Sequence, residues 1–543
     1  MLFNSYEFIF AFLPVTAICF YILGIFSTRL ALHWLIAASL FFYAWWRPLN
    51  VLIIAPSILI NFVLARTLQR LGQNEKWRRA SSAILLIGII FNVVFLGYFK
   101  YKNFFAGAIN DAFGTNFILT QVILPLGISF ITFQKIAFLI DVHAGRIESF
   151  TLRDYCLFVL FFPQLIAGPI VHYREVMPQF RQATCRFDRE NVSIGLTLFF
   201  LGLFKKAVLA DGIAPLVNLI YEHAASGAGI SLFPAWAAAV GFTLQIYFDF
   251  SGYSDMALGA ARLFGIRLPA NFDSPLRATS IVDFWLRWHI TLTRFLTAYI
   301  YNPLVLSLTR RRLAKGKKAV GGRNWTIGGF VYLLMFPTVL TMFISGLWHG
   351  AGYLFVLWGL LHGIYLTINH GWRVMKPKLV GTWVAPMGLS RLAAFLLTFV
   401  SVAIAMVLFR SPTMSSAINV LKGLIGLNGI ALPATLYAQL SPLSGLLRRV
   451  GVVSEGWLSG QDFIMMSIWI ASLMFIALLC PNTFQILSKY QPALGIKPNT
   501  TKSPVTQIVA WNASLAWAIV TVAIVVIAIL HLAGPSEFLY WQF

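Results

Sequence analysis

QIYFDFSGYSDMALGAARLFGIRLPANFDSPLRATSIVDFWLRWHITLTRFLTAYIYNP, residues 245–303, starts inside an apolar run and then places charges of both signs near membrane depth. Asp249 and Asp255 come first. Arg262, Arg267, Asp273, Arg277, Asp283, Arg287 and Arg294 follow, interleaved with aromatic residues. Such charges are costly in a bilayer unless they are paired or wet. The stretch therefore reads as protein interior or as the wall of a water-accessible chamber, not as a lipid-facing span. Gly252, Gly259 and the segment 269–271 predict turns between short helices. From Ile281 a helix is expected, with Ser280 as N-cap and Asp283 at its third position. On that helix Asp283 and Arg287 share a face, as do Trp285 and His289. Structural ion pairing explains each of these charges as well as a functional role does, and both readings stay open here.

Outward from this stretch, the chain is apolar almost everywhere. Of its 543 residues 59% are hydrophobic and 11% are charged, against about 25% charged in a soluble domain. Lipid must therefore cover part of the surface. A spanning helix needs about 20 mainly apolar residues. Runs of that kind fall at 7–26, 31–46, 50–65, 81–99, 191–209, 230–248, 326–347, 351–369, 392–409, 463–480 and 508–530. Segments 118–140 and 153–171 are apolar but hold Pro125, Pro163 and Pro169, which predicts kinked spans or re-entrant pieces. The expectation is an all-α, polytopic transmembrane helical bundle of about 11–13 membrane segments, some re-entrant, forming a single domain over residues 1–543. The 430–460 region is less apolar and reads as a loop or surface helix.

The net charge is +23, from 41 basic and 18 acidic residues. Cytoplasmic loops of membrane proteins are rich in Lys and Arg. Two loops carry the excess: one with Arg66, Arg70, Lys76, Arg78 and Arg79, the other with Arg310, Arg311, Arg312, Lys315, Lys317, Lys318 and Arg323. Both are expected on the cytoplasmic side. Three spans precede the first, which puts the N-terminus outside. Nucleic-acid binding is a poor alternative, because no basic tail or soluble basic domain carries the charge. The first ten residues contain no Lys or Arg, so the first apolar run reads as a retained span and not as a cleaved signal. Cys19, Cys156, Cys185 and Cys480 lack metal-ligand spacing, and no disulfide, metal or thiol nucleophile is assigned.

The second informative stretch is SGLWHGAGYLFVLWGLLHG, 345–363. His349 stands at the junction of two apolar segments among Gly346, Gly350 and Gly352, which let the backbone bend or approach another chain closely. His362 lies in the following helix. A lone histidine at a helix end is usually structural. An ionisable group within a span is a functional candidate.

At these residues the chain resembles the membrane-bound O-acyltransferase superfamily, in particular its bacterial alginate O-acetylase branch. The matching pieces, in order, are SLFFYAWWRP (39–48), LPLGISFITFQKIAFLIDVHAG (124–145), FFPQLIAGPIVHYREVMPQF (161–180), GLFKKAVLAD (202–211), YFDFSGYSDMALGAARLFGIRLPANFDSP (247–275), FWLRWHITLTRFLTAYIYNPL (284–304), SGLWHGAGYLFVLWGLLHG (345–363) and EFLYWQF (537–543). The family commonly reads SFFTFQ and VDVYRG where this chain has SFITFQ and IDVHAG. The resemblance places the near-invariant family histidine on His349 and a second family position on His289. It implies helices around a central tunnel, no tightly bound cofactor, and a donor such as acetyl-CoA or another acyl thioester. It further implies transfer across the membrane of a bacterial cell (the inner, cytoplasmic one) toward an extracytoplasmic glycan, with a periplasmic acetyltransferase as pathway partner. Asp249, Asp255, Asp283, Arg287 and Arg294 are then candidate tunnel residues.

A neutral imidazole, with an ordinary pKa of about 6.5, can take a hydroxyl proton as that hydroxyl attacks a thioester. His349 is assigned this role. His289 is assigned to binding or polarising the thioester carbonyl, or to sharing the base role. A covalent acyl-histidine or acyl-serine relay is a further arrangement of the same groups. Competing readings are a transporter or channel, D-alanyl or lipid acyl transfer by the same fold, and a structural subunit of a secretion complex. The last leaves both histidine motifs without a purpose.

Overall fold

The structure, a computed structural model, describes all residues except 118, 121–123, 183–184, 318–325, 380–386, 497–507, 533–538 and 540–543. Lys318, Arg323 and all of EFLYWQF but Leu539 thus lie outside the described residues, as does part of 118–140. The protein is an all-α, polytopic membrane protein. Among the described residues seven helices are long and apolar enough to cross a membrane: Glu7–Phe26, Leu49–Gly72, Glu75–Phe113, Arg189–Ala225, Ile327–His349, Gly388–Arg410 and Gly460–Leu479. Thr28–Ala44 and Leu515–Leu530 are shorter apolar helices.

Several other expected segments take a different form. The 230–248 run belongs to a 32-residue helix, Leu232–Leu263, in which every residue from Gly241 onward is buried. Gly252 and Gly259, expected to make turns, lie inside it. They are small for close packing instead. A Cβ on Gly202 would come within 2.5 Å of the Gly252 carbonyl oxygen, and one on Gly259 within 2.5 Å of the Gly195 carbonyl oxygen. The Arg189–Phe204 helix and the second half of Leu232–Leu263 thus touch backbone to backbone, the usual geometry of small residues between membrane helices. The turn comes at Gly265, with φ of +74°. The 153–171 segment, expected as a kinked span or a re-entrant piece, is not one continuous helix. It holds Leu152–Leu160, Phe162–Leu165 and extended chain beyond. Nine residues of helix span about 14 Å, half of a hydrocarbon core. Within 430–460, Ile430–Pro433 and Val452–Glu455 pair in parallel, with Ile430 opposite Val452.

The helices gather into two compact units, each assembled from separated pieces of chain. The first comprises Met1–Phe204, Gly252–Asn271 and Thr483–Gly534. Its core is aromatic: Phe8 lies 5.9 Å from Phe42, 6.0 Å from Phe162 and 5.9 Å from Phe199, centre to centre. Several buried polar groups in it are paired. Asn61 and Asn92 bond each other reciprocally, Lys135 donates to Ser57 Oγ at 2.5 Å, and Thr483 donates to Asp255 at 2.7 Å.

The second unit comprises Lys205–Ser251, Phe272–Asn482 and Pro535–Phe543. Its central hairpin is Phe336–His349 followed by Tyr353–Leu379. Gly346 sits against the Phe355 carbonyl, Gly359 against that of Met342, and a Cβ on Gly363 would lie 2.9 Å from Val339 Cα. Three glycines thereby let the two helices approach at backbone distance, and residues on the facing surfaces are held in one register.

Candidate active site

The predicted helix after Ser280 forms, but it is short. Ser280 Oγ accepts the Asp283 amide at 3.1 Å, and the helix runs Ile281–Arg287. Trp288 is extended and His289 takes φ of +43° and ψ of +51°. A new helix, Ile290–Leu296, starts directly after it. Trp285 and His289 therefore do not share a helical face as expected, because the chain breaks between them. A bulky residue in the left-handed region is uncommon, and such strained residues cluster at functional sites.

The break delivers His289 into the second unit, where it is fully buried. Its ring packs edge-on to Phe250 at 4.8 Å and lies 6.3 Å from the ring of His349. His349 ends the Phe336–His349 helix and is 5% exposed. Trp348, Trp358 and Phe409 surround it at 5.1, 4.9 and 5.3 Å. The two histidines, 60 residues apart in sequence, are brought into one aromatic chamber in which water has little access. A general base beside a second imidazole in such a site suits proton transfer between a hydroxyl and a leaving group.

The carboxylates and arginines fall elsewhere. Asp249 is buried and accepts Lys206 Nζ at 2.7 Å, while Lys206 also reaches Asp211 at 2.6 Å. Its main-chain neighbour Phe250 is the residue that touches His289. Asp283 and Arg287 form an ion pair at 2.9 Å, each about one-third exposed, and Arg287 also donates to the Asp273 carbonyl at 3.3 Å. Arg294 is half-buried on Ile290–Leu296. Asp255 belongs to the first unit and is held by Thr483.

Residue reasoning passed over Lys206, although a buried carboxylate calls for a cation and GLFKKAVLAD supplies one. It named Trp285 only as a face partner of His289, and it passed over Trp358. Trp285 donates its indole N–H to His362 Nδ1 at 3.3 Å. Trp358 and His362 are four apart on one helix, with ring centres 4.8 Å apart, a spacing that the sequence does display.

The model of the membrane-bound O-acyltransferase family matches residues 145–319, a span that contains His289. A peptidoglycan O-acetyltransferase of Helicobacter pylori is 39% identical over 80% of this chain and 81% of its own length. A protein described as a probable alginate O-acetylase of Pseudomonas aeruginosa is 36% identical over 77% of this chain and 73% of its own. A teichoic acid D-alanyltransferase of Streptococcus thermophilus is 30% identical over 47% of this chain and 59% of its own. With matches of this extent, the chain belongs to the membrane-bound O-acyltransferase family and is an acyltransferase.

Proposed function

We propose that the protein moves an acetyl group from an acyl thioester, such as acetyl-CoA, to a hydroxyl of an extracytoplasmic polysaccharide. The observation that carries this reading is the pair of buried imidazoles 6.3 Å apart, His289 and His349, in an aromatic chamber. His349 takes the acceptor's hydroxyl proton while the oxygen attacks the thioester carbonyl. A C–O bond forms, the C–S bond breaks, and the proton passes from His349 to the departing thiolate. His289 stands close enough to orient the reacting group or to share the proton. The aromatic walls limit hydrolysis of the donor.

The acetyl group is favoured over D-alanine because the peptidoglycan O-acetyltransferase and the probable alginate O-acetylase match over 80% and 77% of this chain, whereas the D-alanyltransferase match covers 47% of it. Peptidoglycan and an alginate-type exopolysaccharide are the two acceptor classes that those relatives suggest. In this reading the enzyme sits in the bacterial inner membrane, a tunnel leads donor and acceptor to His349 from opposite sides, and a periplasmic acetyltransferase is a partner in the same polysaccharide pathway. Asp249, Asp283, Arg287 and Arg294 belong to the second unit with the histidines, and their proposed part is support of that tunnel. The basic cytoplasmic loops attract the anionic donor.

The test is purified protein in lipid nanodiscs, incubated with labelled acetyl-CoA and either glycan. Label should reach one glycan with wild type and neither with His349→Ala. Transfer by His349→Ala at the wild-type rate removes the assignment, and absence of thioester turnover in the wild type favours a transporter.

A further inference from the structure

His362 and Trp358 have no part in the reaction as described so far, yet their surroundings are unusual. His362 is fully buried and Trp358 is 1% exposed. Because His362 Nδ1 accepts the Trp285 indole N–H at 3.3 Å, the neutral ring carries its own proton on Nε2. Among the described residues neither His362 Nε2 nor Trp358 Nε1 has a hydrogen-bond partner. A buried donor without an acceptor is costly, and such groups ask for an explanation. Two of them lie on adjacent rings 4.8 Å apart, and Trp358 in turn lies 4.9 Å from the ring of His349. Both side chains offer donors only in these states, so the matching ligand atom is an acceptor oxygen.

We infer that the Nε2–H of His362 and the Nε1–H of Trp358 hold the carbonyl oxygen of the acyl thioester beside His349. The inference rests on the acyl-transfer reading above. When the hydroxyl oxygen attacks, the carbonyl oxygen gains negative charge, and fixed N–H donors stabilise it. The electron pair returns to the carbonyl as the C–S bond breaks, and no atom is exchanged with either donor. Trp285 acts through His362: its bond to Nδ1 keeps the proton on Nε2. His289 is then left to share the base role.

The experiment compares wild type, His362→Phe, His362→Gln, Trp358→Phe and Trp285→Phe in nanodiscs with acetyl-CoA. Loss of a donor aimed at a developing oxyanion should lower kcat about 10–1,000-fold with little change in the donor KM. His362→Phe and Trp358→Phe should show such losses. His362→Gln keeps an N–H and should recover most of the rate, and Trp285→Phe should fall in between. A second readout works without turnover. In a His349→Ala background, the stretching band of 13C-labelled acetyl-CoA carbonyl should move to lower frequency on binding and lose that shift when His362→Phe or Trp358→Phe is added. Rates within twofold of wild type in both Phe variants, or an unchanged carbonyl band, overturn the inference. So does an effect confined to the acceptor KM. If wild type fails to turn over the thioester, the acyl-transfer reading itself is what falls.

Discussion

His349 and His289 are both buried histidines, but the backbone treats them differently. His349 ends a regular helix, and Gly350 after it is extended. His289 is held at φ +43°, where a β-carbon costs roughly 1–2 kcal/mol. This difference separates function from strain by substitution. His289→Gly relieves the backbone and removes the ring, whereas His289→Asn tolerates the left-handed region and keeps a polar group. The relief of strain offsets only part of the packing lost with a fully buried ring, so His289→Gly should melt below wild type; if the ring matters for transfer, the folded variant should also lose about 10²-fold or more in kcat, within the usual range for acid–base groups. His289→Asn should fall between the two. Thermal unfolding in detergent and the acetyl-transfer assay decide it. Both histidines were singled out in the sequence through the resemblance carried by RWH and WHG; that their rings lie 6.3 Å apart was not legible there, because 60 residues separate them. Nor was the Trp285–His362 bond, because its partners are 77 residues apart and no periodicity relates separate elements.

At the scale of elements, glycine was read correctly as a signal of close approach near His349 and incorrectly as a signal of turns at Gly252 and Gly259. The two uses look alike in sequence: both need a missing side chain, and only the neighbouring helix decides which applies. In the Phe336–His349 and Tyr353–Leu379 hairpin, Gly359 lies against the Met342 carbonyl. A methyl group there cannot be absorbed by a flexible side chain, so the helices must separate. Gly359→Ala should cost about 1–3 kcal/mol and displace Trp358 and His362 from His349, lowering both melting temperature and kcat. Gly371→Ala, on the same helix, meets only the tip of Phe330 at 3.5 Å and should be close to neutral. Lys206 supplies a second test at this scale. It is 1% exposed and shared by two carboxylates. Lys206→Met leaves buried Asp249 without this cation and should destabilise by about 3–5 kcal/mol, read as loss of folded protein in size-exclusion chromatography. Lys206→Met combined with Asp249→Asn and Asp211→Asn should recover a large part of it.

For the whole molecule, hydropathy gave the all-α polytopic class, but it does not tell an apolar run buried by protein from one buried by lipid, because the two have the same composition. Leu232–Leu263 is the instance: its buried stretch from Gly241 on holds Asp249, Asp255 and Arg262. Orientation rests on different physics, the bias of Lys and Arg toward the cytoplasm, and is open to direct measurement. The first basic loop follows the Leu49–Gly72 helix, and the second begins at the end of Asn302–Ala314. If both face the cytoplasm, the chain between them crosses the bilayer an even number of times. Single cysteines at Gln73 and at Lys315, placed in a variant with Cys19, Cys156, Cys185 and Cys480 replaced by Ser, should resist a membrane-impermeant maleimide in intact spheroplasts and react in inverted vesicles. A tag ahead of Met1 should show the opposite pattern, since three helices separate the N-terminus from the first loop. Labelling of Gln73 and Lys315 from opposite sides would make the number of crossings odd and place one basic loop on the same side as the acceptor, where it could not draw an anionic cytoplasmic donor toward His349.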